Sequence, residues 1–559
     1  MTDTFPWLTT LIVVPLLGAV VLWALPRGAR RHARPIAFAV SLLVLAGAVA
    51  AALQFDVSRA DEHQLAEQTP WIPAFGVSYA VGVDGVGLAL VLLSVLLVPL
   101  VILAAWREHP DAVPAGAVVG AVGTDPSATR AVDAPAGGGD DGNRIRHYMA
   151  LVLVLEACMV AVFAARDLFL FYVLFEAMLI PVYFMIGSFG GLRRRYAAVK
   201  FLLFSLAGGL IMLVGVIALY LQGPGGPEGF LIENLVGLDL PQTTERLLFL
   251  ALFLAFAVKA PMWPVHTWLP DAAEQAPAGT SVLLVGVLDK VGTFGMLTLC
   301  LPLFPEASRW AAPVIIVLAV ISVLYGALLA IGQEDLMRLI AYTSVSHFGF
   351  IVLGIFAFTE VSTQGASLYM VNHGLSTGGL FLLAGFLVAR RGTAQISAFG
   401  GLQKVVPVLA GTFLLVGLSA LSLPGLSTFV SEFLVLVGTF EVNRPAAIVA
   451  TLGVILAALY VLLTYQRIFT GPAREDAALT HDLSAREKWV VGPLVVALVV
   501  LGFYPAPALD LVREPAAASV EAVGGPDGSG RAVDDAEAEA EAADAATGST
   551  DTSVDGSDQ

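Results

Sequence analysis

Long apolar runs alternate with short polar connections along almost the whole chain. A run of about 20 apolar residues can cross the hydrocarbon core of a bilayer as a helix. Counting such runs predicts fourteen spans, at 7–25, 35–54, 82–106, 147–165, 167–187, 198–222, 247–268, 278–304, 310–331, 336–357, 365–389, 407–440, 445–470 and 488–505. Two stretches break the alternation: 107–146, rich in Ala, Gly, Pro and Asp, and everything after Arg513. Neither has the apolar periodicity of a packed element, which predicts a flexible polar loop and a disordered tail. The pattern as a whole predicts an all-α polytopic membrane protein.

Composition agrees with the pattern: 57% of residues are hydrophobic and only 13% charged, against about 25% charged in soluble domains. The net charge of −16 belongs largely to the tail, where twelve acids at or after Glu514 face a single Arg531. It therefore implies no basic partner for the membrane body, and no nucleic acid. The two cysteines, Cys158 and Cys300, lie in separate apolar runs without a CxxC, so no iron–sulfur or zinc site is legible. No glycine-rich dinucleotide fingerprint or phosphate loop is present either. The expectation is a chain with no redox cofactor and no metal of its own. The N-terminus lacks a basic region and a cleavage site, so Trp7 onward is expected to be a retained span.

Lysine and arginine placement sets the orientation. With the Arg27–Arg34 loop in the cytoplasm, alternation puts twenty of the 29 basic residues in cytoplasmic connections, seven on the opposite side, and Lys259 and Lys290 inside the membrane. Both termini are then expected on the outer side of a bacterial-type inner or plasma membrane.

The stretch AFAVKAPMWPVHTWLPDAAEQAP, from Ala255 to Pro277, departs most from a plain span. Lys259 sits near its start, and Pro261 and Pro264 follow. Each proline removes a donor to the carbonyl four residues back, so Ala257 and Ala260 need other partners. Charge and loosened backbone at membrane depth are tolerated only against protein or a water-filled cavity. Pro424 lies 163 residues after Pro261, the same distance that separates the starts of spans four and nine near His147 and Trp310. Five spans per unit would make the two units inverted, with prolines interrupting corresponding helices, as in many transporters. The expected organisation is 1–106, N-terminal helices; 107–146, polar loop; 147–308 and 309–471, two five-helix units; 472–513, a loop and last helix; and 514–559, the acidic tail.

The remaining intramembrane charges carry the candidate chemistry. An unpaired charge at such depth costs roughly 2.5–3.5 kcal/mol or more. Glu176, in FLFYVLFEAMLIPVYFMIG, has apolar residues on every face and needs a cation. Lys259 and Lys290 are the candidates. Burial and a nearby carboxylate act on a lysine in opposite senses, so one balanced between them can take up and release a proton. Asp289 is adjacent to Lys290 and could simply neutralise it. His347, in IAYTSVSHFGF, and His373, in YMVNHGLSTGG, suit proton relay near neutral pH. Each could equally be a packing residue, and without a nearby carboxylate or cysteine they are weak metal ligands. Glu432 follows the Pro424–Gly425 break among Ser427, Thr428 and Ser431. Glu156 is a candidate second carboxylate, and Asp167 is expected at a helix start, where the dipole favours it.

FYVLFEAMLIPVYFMIG, KAPMWPVHTWLPDA, LIAYTSVSHFGF, VNHGLSTGGLFLLAG and LSLPGLSTFVSEF resemble the antiporter-like membrane subunits of respiratory complex I, in particular the chain M branch, counterpart of mitochondrial chain 4. The resemblance covers roughly residues 80 to 470. It implies fourteen helices, an inverted five-helix repeat and broken helices seven and twelve. By motif it pairs Glu176 with Lys259, makes Lys290 the central lysine, and puts His347 and His373 on the hydrophilic axis that ends at Glu432. In sister subunits the last position is usually lysine; some chains of multisubunit sodium/proton antiporters share the acid. Ala273, Met337 and Thr298 stand where the family often has histidine, lysine and arginine. The implied function is a proton-translocating subunit of NADH:quinone oxidoreductase. Flavin, iron–sulfur clusters and quinone would belong to partner subunits, among them sister antiporter-like chains. A sodium/proton antiporter subunit is the alternative from another class, with a membrane-bound hydrogenase subunit or an inert scaffold behind it.

Overall fold

The computed structural model describes residues 5–107, 141–472 and 481–525. Apolar runs become helices because a helix satisfies its own backbone groups where no water can. Among the described residues, eleven helices are long and apolar enough to cross a membrane, or up to twelve if the bent pair Ala485–Phe503 and Ala506–Ala522 counts as one span. The two expected spans that fall short by this measure are those divided at proline. Gln242–Lys259 carries three charges and stops before Pro261, and Trp268–Gln275 follows. Pro407–Ala420 stops before Pro424, and Ser427–Val442 follows.

Three details differ from the expected outline. Among the described residues one antiparallel hairpin, Gln64–Ile72 with Val77–Val83, accompanies the helices, between the second and third spans. Gly76 turns it at φ 71°, a conformation glycine adopts without strain. The hairpin is tied to the helices: Glu67 accepts from Leu8 N at 2.8 Å, and Asp167 accepts from Ser78 N at 2.8 Å while capping its own helix at Leu170 N, 2.9 Å. Second, the polar loop ends earlier than 146, because Asp141–Ala164 is one helix; its 108–140 portion lies outside the described residues. Third, the tail does not begin at 514. Ala506–Ala522 is a helix with Val512, Ala516 and Val520 buried, an i, i+4, i+8 stripe that packs one face. Residues 526–559 lie outside the described residues.

The core of the body is the Leu336–Phe356 and Glu360–Arg391 helices with the Ala278–Leu303 segment beside them. Small residues let them approach. A Cβ on Gly374 would meet Gly286 O at 2.7 Å, and one on Gly292 would meet Phe256 O at 2.5 Å and Ala260 N at 2.6 Å. The same segment has π-helical turns at Leu284–Leu288 and Met296–Cys300, flanking Lys290; such turns recur at functional sites.

Candidate functional site: a buried row of titratable side chains

The site grows from the two helix interruptions. At the first, Lys259 is the last residue of its helix. The carbonyl that Pro261 cannot serve, Ala257 O, accepts from Met262 N at 3.1 Å, and Val258 O accepts from Trp268 Nε1 at 2.9 Å. At the second, Ser422 turns the chain at φ 60° and Gly425 at φ 92°. A left-handed serine stores strain of the kind that collects at functional sites. Thr428 Oγ1 donates to Ser419 O across the break, and Asn372 Nδ2 donates to Ser427 O at 2.8 Å.

Lys259, Lys290, His347, His373, Glu432 and Glu156 are all 0–3% exposed. Lys290 Nζ donates to Val285 O at 2.5 Å and lies 2.7 Å from His373 Nδ1. The His373 and His347 rings are 5.4 Å apart between centroids. His347 Nδ1 is 2.7 Å from Tyr369 Oη, and Tyr369 Oη donates to Glu432 Oε2 at 2.6 Å. Ser422 Oγ donates to the same Glu432 oxygen at 2.5 Å, and Tyr460 Oη lies 3.3 Å from His347 Nε2. Four of the expected residues thus meet in one buried row running from the middle of the body to the second helix break.

The Glu176–Lys259 pair is looser than expected. No nitrogen–oxygen contact within 4.0 Å joins them, although each charge acts on the other. Lys259 Nζ instead lies 4.7 Å from the Phe175 ring centroid, a favourable cation–π geometry. The Glu176 carboxylate occupies the space left by Gly209, where a Cβ would come within 1.6 Å of Oε1. Unlike the rest of the row, Glu176 is only half-buried. Neither Glu156 oxygen has a hydrogen-bond partner, so Glu156 is a buried carboxyl that the row does not reach.

Asp289 does not bind Lys290 directly: both its oxygens lack a partner, and His373 takes the lysine instead. Asp289 is itself fully buried, close enough to Lys290 and Lys259 for their charges to act on it. Sequence reasoning passed over Tyr369, Tyr460 and Ser422. Tyr369 precedes His373 by four residues and so shares its helix face, the one signal that could have found it. His266, also passed over, is buried in the first interruption with neither ring nitrogen bonded.

The second half of the first interrupted helix is held from one end of the bundle. Asp271 takes Lys200 Nζ at 2.6 Å and Arg338 at 2.5 Å, and Glu274 takes Arg338 at 2.9 Å and Arg193 at 2.6 Å. Among the described residues, no group of three or more His, Cys, Asp or Glu could hold a metal ion. What the arrangement can do is pass protons between titratable groups shielded from water and lipid.

Comparison with known proteins agrees in family and in fold. The family model for the transmembrane region of NADH:quinone oxidoreductase and Mrp antiporter proteins matches residues 165–459. NADH-quinone oxidoreductase subunit M of Mycobacterium tuberculosis is 48% identical over 520 residues, covering 91% of this chain and 93% of that protein. A chain of respiratory complex I from Thermus thermophilus superposes with a TM-score of 0.79 at 32% identity, over 93% of this chain and all of that one. A chain of the Mrp complex from a Dietzia species superposes with a TM-score of 0.77 over 93% of this chain and 99% of that one, but at 22% identity this likeness is one of fold alone. The chain belongs to the NADH:quinone oxidoreductase/Mrp antiporter family of membrane subunits.

Proposed function

We propose that this chain is a proton-translocating membrane subunit of an NADH:quinone oxidoreductase, moving protons along Glu176, Lys259, Lys290, His373, His347 and Glu432 while quinone is reduced in other subunits. The observation that carries the reading is the buried contact row from Lys290 to Glu432, ending at a helix interruption. An inert scaffold would need each buried charge paired; the Lys259 ammonium has no hydrogen-bond partner. Flavin, iron–sulfur clusters and quinone belong, on this reading, to partner subunits.

The energies match the task. Moving one proton against the membrane potential costs about 2.3 kcal/mol per 100 mV. Forming or breaking an ion pair at about 4 Å, at an effective dielectric of 20, changes the energy by about 4 kcal/mol. Rearranging Glu176 and Lys259, which interact without yet touching, therefore supplies work of the right size. Redox energy released elsewhere would reach this chain as such a rearrangement. The Lys259 proton then passes to Lys290 and along the row.

Glu176 also bears on partners. A carboxylate only partly buried at mid-membrane depth is costly against lipid, so the surface around Glu176 and Gly209 is expected to lie against another membrane subunit. The two interrupted segments are read here as crossings, which restores fourteen spans and puts both termini outside.

A sodium/proton antiporter subunit is the second reading, favoured by the family model, which spans both groups. Purifying the native complex and identifying its subunits separates the two. Flavin and iron–sulfur subunits co-purifying with this chain support the first; only small antiporter subunits would overturn it.

A further inference from the structure

We propose that Tyr369 is the proton-carrying link between His347 and Glu432, a relay residue in its own right and not a packing side chain. The inference rests on the translocation reading above and adds to it the group that closes the gap. Without the phenol, no hydrogen bond joins the histidines to the terminal acid. With it, one oxygen stands 2.7 Å from His347 Nδ1 and 2.6 Å from Glu432 Oε2. Both distances are those of well-formed hydrogen bonds. Tyr369 is itself fully buried.

The donor inventory fixes the resting pattern. Tyr369 has one proton and gives it to Glu432. Its oxygen can then only accept from His347, so the neutral imidazole carries its proton on Nδ1. Nε2 is left as an acceptor, and Tyr460 Oη, 3.3 Å away, is the donor it needs. Each of the four groups then has a partner consistent with one tautomer.

Transfer follows with atoms in balance. A proton from the Lys290–His373 side arrives at Nε2 and makes His347 an imidazolium; the Tyr460 hydroxyl turns to accept. The Nδ1–H bond of His347 breaks as its proton bonds to Tyr369 Oη. In the same step the original Tyr369 O–H bond breaks, and that proton bonds to Glu432 Oε2. His347 ends neutral with its proton on Nε2, Glu432 ends as a carboxylic acid, and Tyr369 keeps one proton throughout. No tyrosinate and no electron transfer are involved. The link resets, after the acid has released its proton beside Ser422, when the Tyr369 hydroxyl turns back toward Glu432 and the His347 imidazole turns over to bring its N–H back to Tyr369.

Tyr369→Phe tests this in the whole complex reconstituted in liposomes, because it removes the hydroxyl and keeps the ring. Positioned proton transfer contributes about 100-fold or more to a rate, so proton pumping coupled to quinone reduction is expected to fall by at least about tenfold with subunit content unchanged. A second variant guards against a merely structural effect. Replacing Tyr369 with a fluorinated tyrosine keeps the hydrogen bonds but makes the phenol more acidic, and should shift the pH profile of pumping relative to wild type. Glu432→Gln is measured alongside. Full pumping by Tyr369→Phe beside a defective Glu432→Gln would overturn the link while leaving the translocation reading intact. An unshifted fluorotyrosine profile would overturn it too. Full pumping by both Tyr369→Phe and Glu432→Gln would instead overturn the translocation reading.

Discussion

Lys259 ends its helix with the ammonium over an aromatic ring and no carboxylate within 4.0 Å. That geometry sharpens the choice between relay and structural tie. Arginine keeps the charge and the cation–π contact but holds its proton at any physiological pH. Lys259→Arg is therefore expected to assemble normally and lose coupled turnover by about tenfold or more, as Lys259→Ala should; activity of the assembled arginine variant at the wild-type level would remove Lys259 from the relay. At the far end, Glu432→Asp keeps a titratable group and should retain more pumping than Glu432→Gln, and equal rates for the two would argue against proton release there. Lys259, Glu176 and Glu432 were legible in the sequence because a charge inside an apolar run has few explanations. Tyr369, Tyr460 and Ser422 were not, since tyrosine and serine are ordinary in membrane helices and only the fold brings these three to His347 and Glu432. Adjacency in sequence offered Asp289 as a neutralising partner for Lys290, but the lysine instead meets His373, 83 residues away.

At the scale of elements, interruptions were easier to read than packing. Proline cannot close a helix, so Pro261 and Pro424 marked where two helices stop. The hairpin and the last helix gave weaker signals: seven to nine residues of strand, and a stripe of valine and alanine with Pro515 inside it. The last helix is more than an appendage. Gly85 sits against Leu511 O, where a Cβ would come within 1.8 Å, and Arg309 donates to Val523 O at 2.7 Å. Truncation after Gly525 is expected to leave assembly and turnover near wild type, whereas truncation before Ala506 should lower the yield of assembled complex, measured by native gel and quinone reductase activity. Equal yields would show that this helix contributes nothing to the body. A second tie is the buried pair Arg390–Glu487 at 2.8 Å, whose side chains are 3% and 6% exposed. Removing one partner of such a pair costs about 3–5 kcal/mol, so Glu487→Ala should destabilise the helix Ala485–Phe503 and reduce assembly, with pumping per assembled complex unchanged.

The whole molecule carries the orientation, which rests on where basic residues fall and on the parity of the spans. Residues that alternation assigns to the same side also meet in the fold. Arg193, Lys200 and Arg338 converge on Asp271 and Glu274. Arg146 donates to the carbonyls of Trp23 and Leu25, and Arg486 to those of Leu103 and Ala104. All of these belong to the side assigned to the cytoplasm. Arg166 pairs with Glu233 at 2.6 Å and Arg309 reaches Val523 on the side assigned to the exterior. A span too many or too few near the middle of the chain would set such partners on opposite faces of the membrane. Among the described residues the count by length and hydropathy gives eleven helices, or up to twelve; with the two proline-divided segments proposed above as crossings added to twelve, the number is even. An even count puts both termini on one side, and the excess of lysine and arginine chooses which side that is. A reporter fused after Gln559 is therefore expected to be active only outside the cytoplasm, and one inserted at Gly138 only within it. Both on one side would make the number of spans between Gly138 and the C-terminus even instead of odd, so that one divided segment turns back without crossing. The terminal acid Glu432 would then open to the same face as the Lys200–Asp271–Arg338 cluster, and a row running from one face to the other could not be built from these residues.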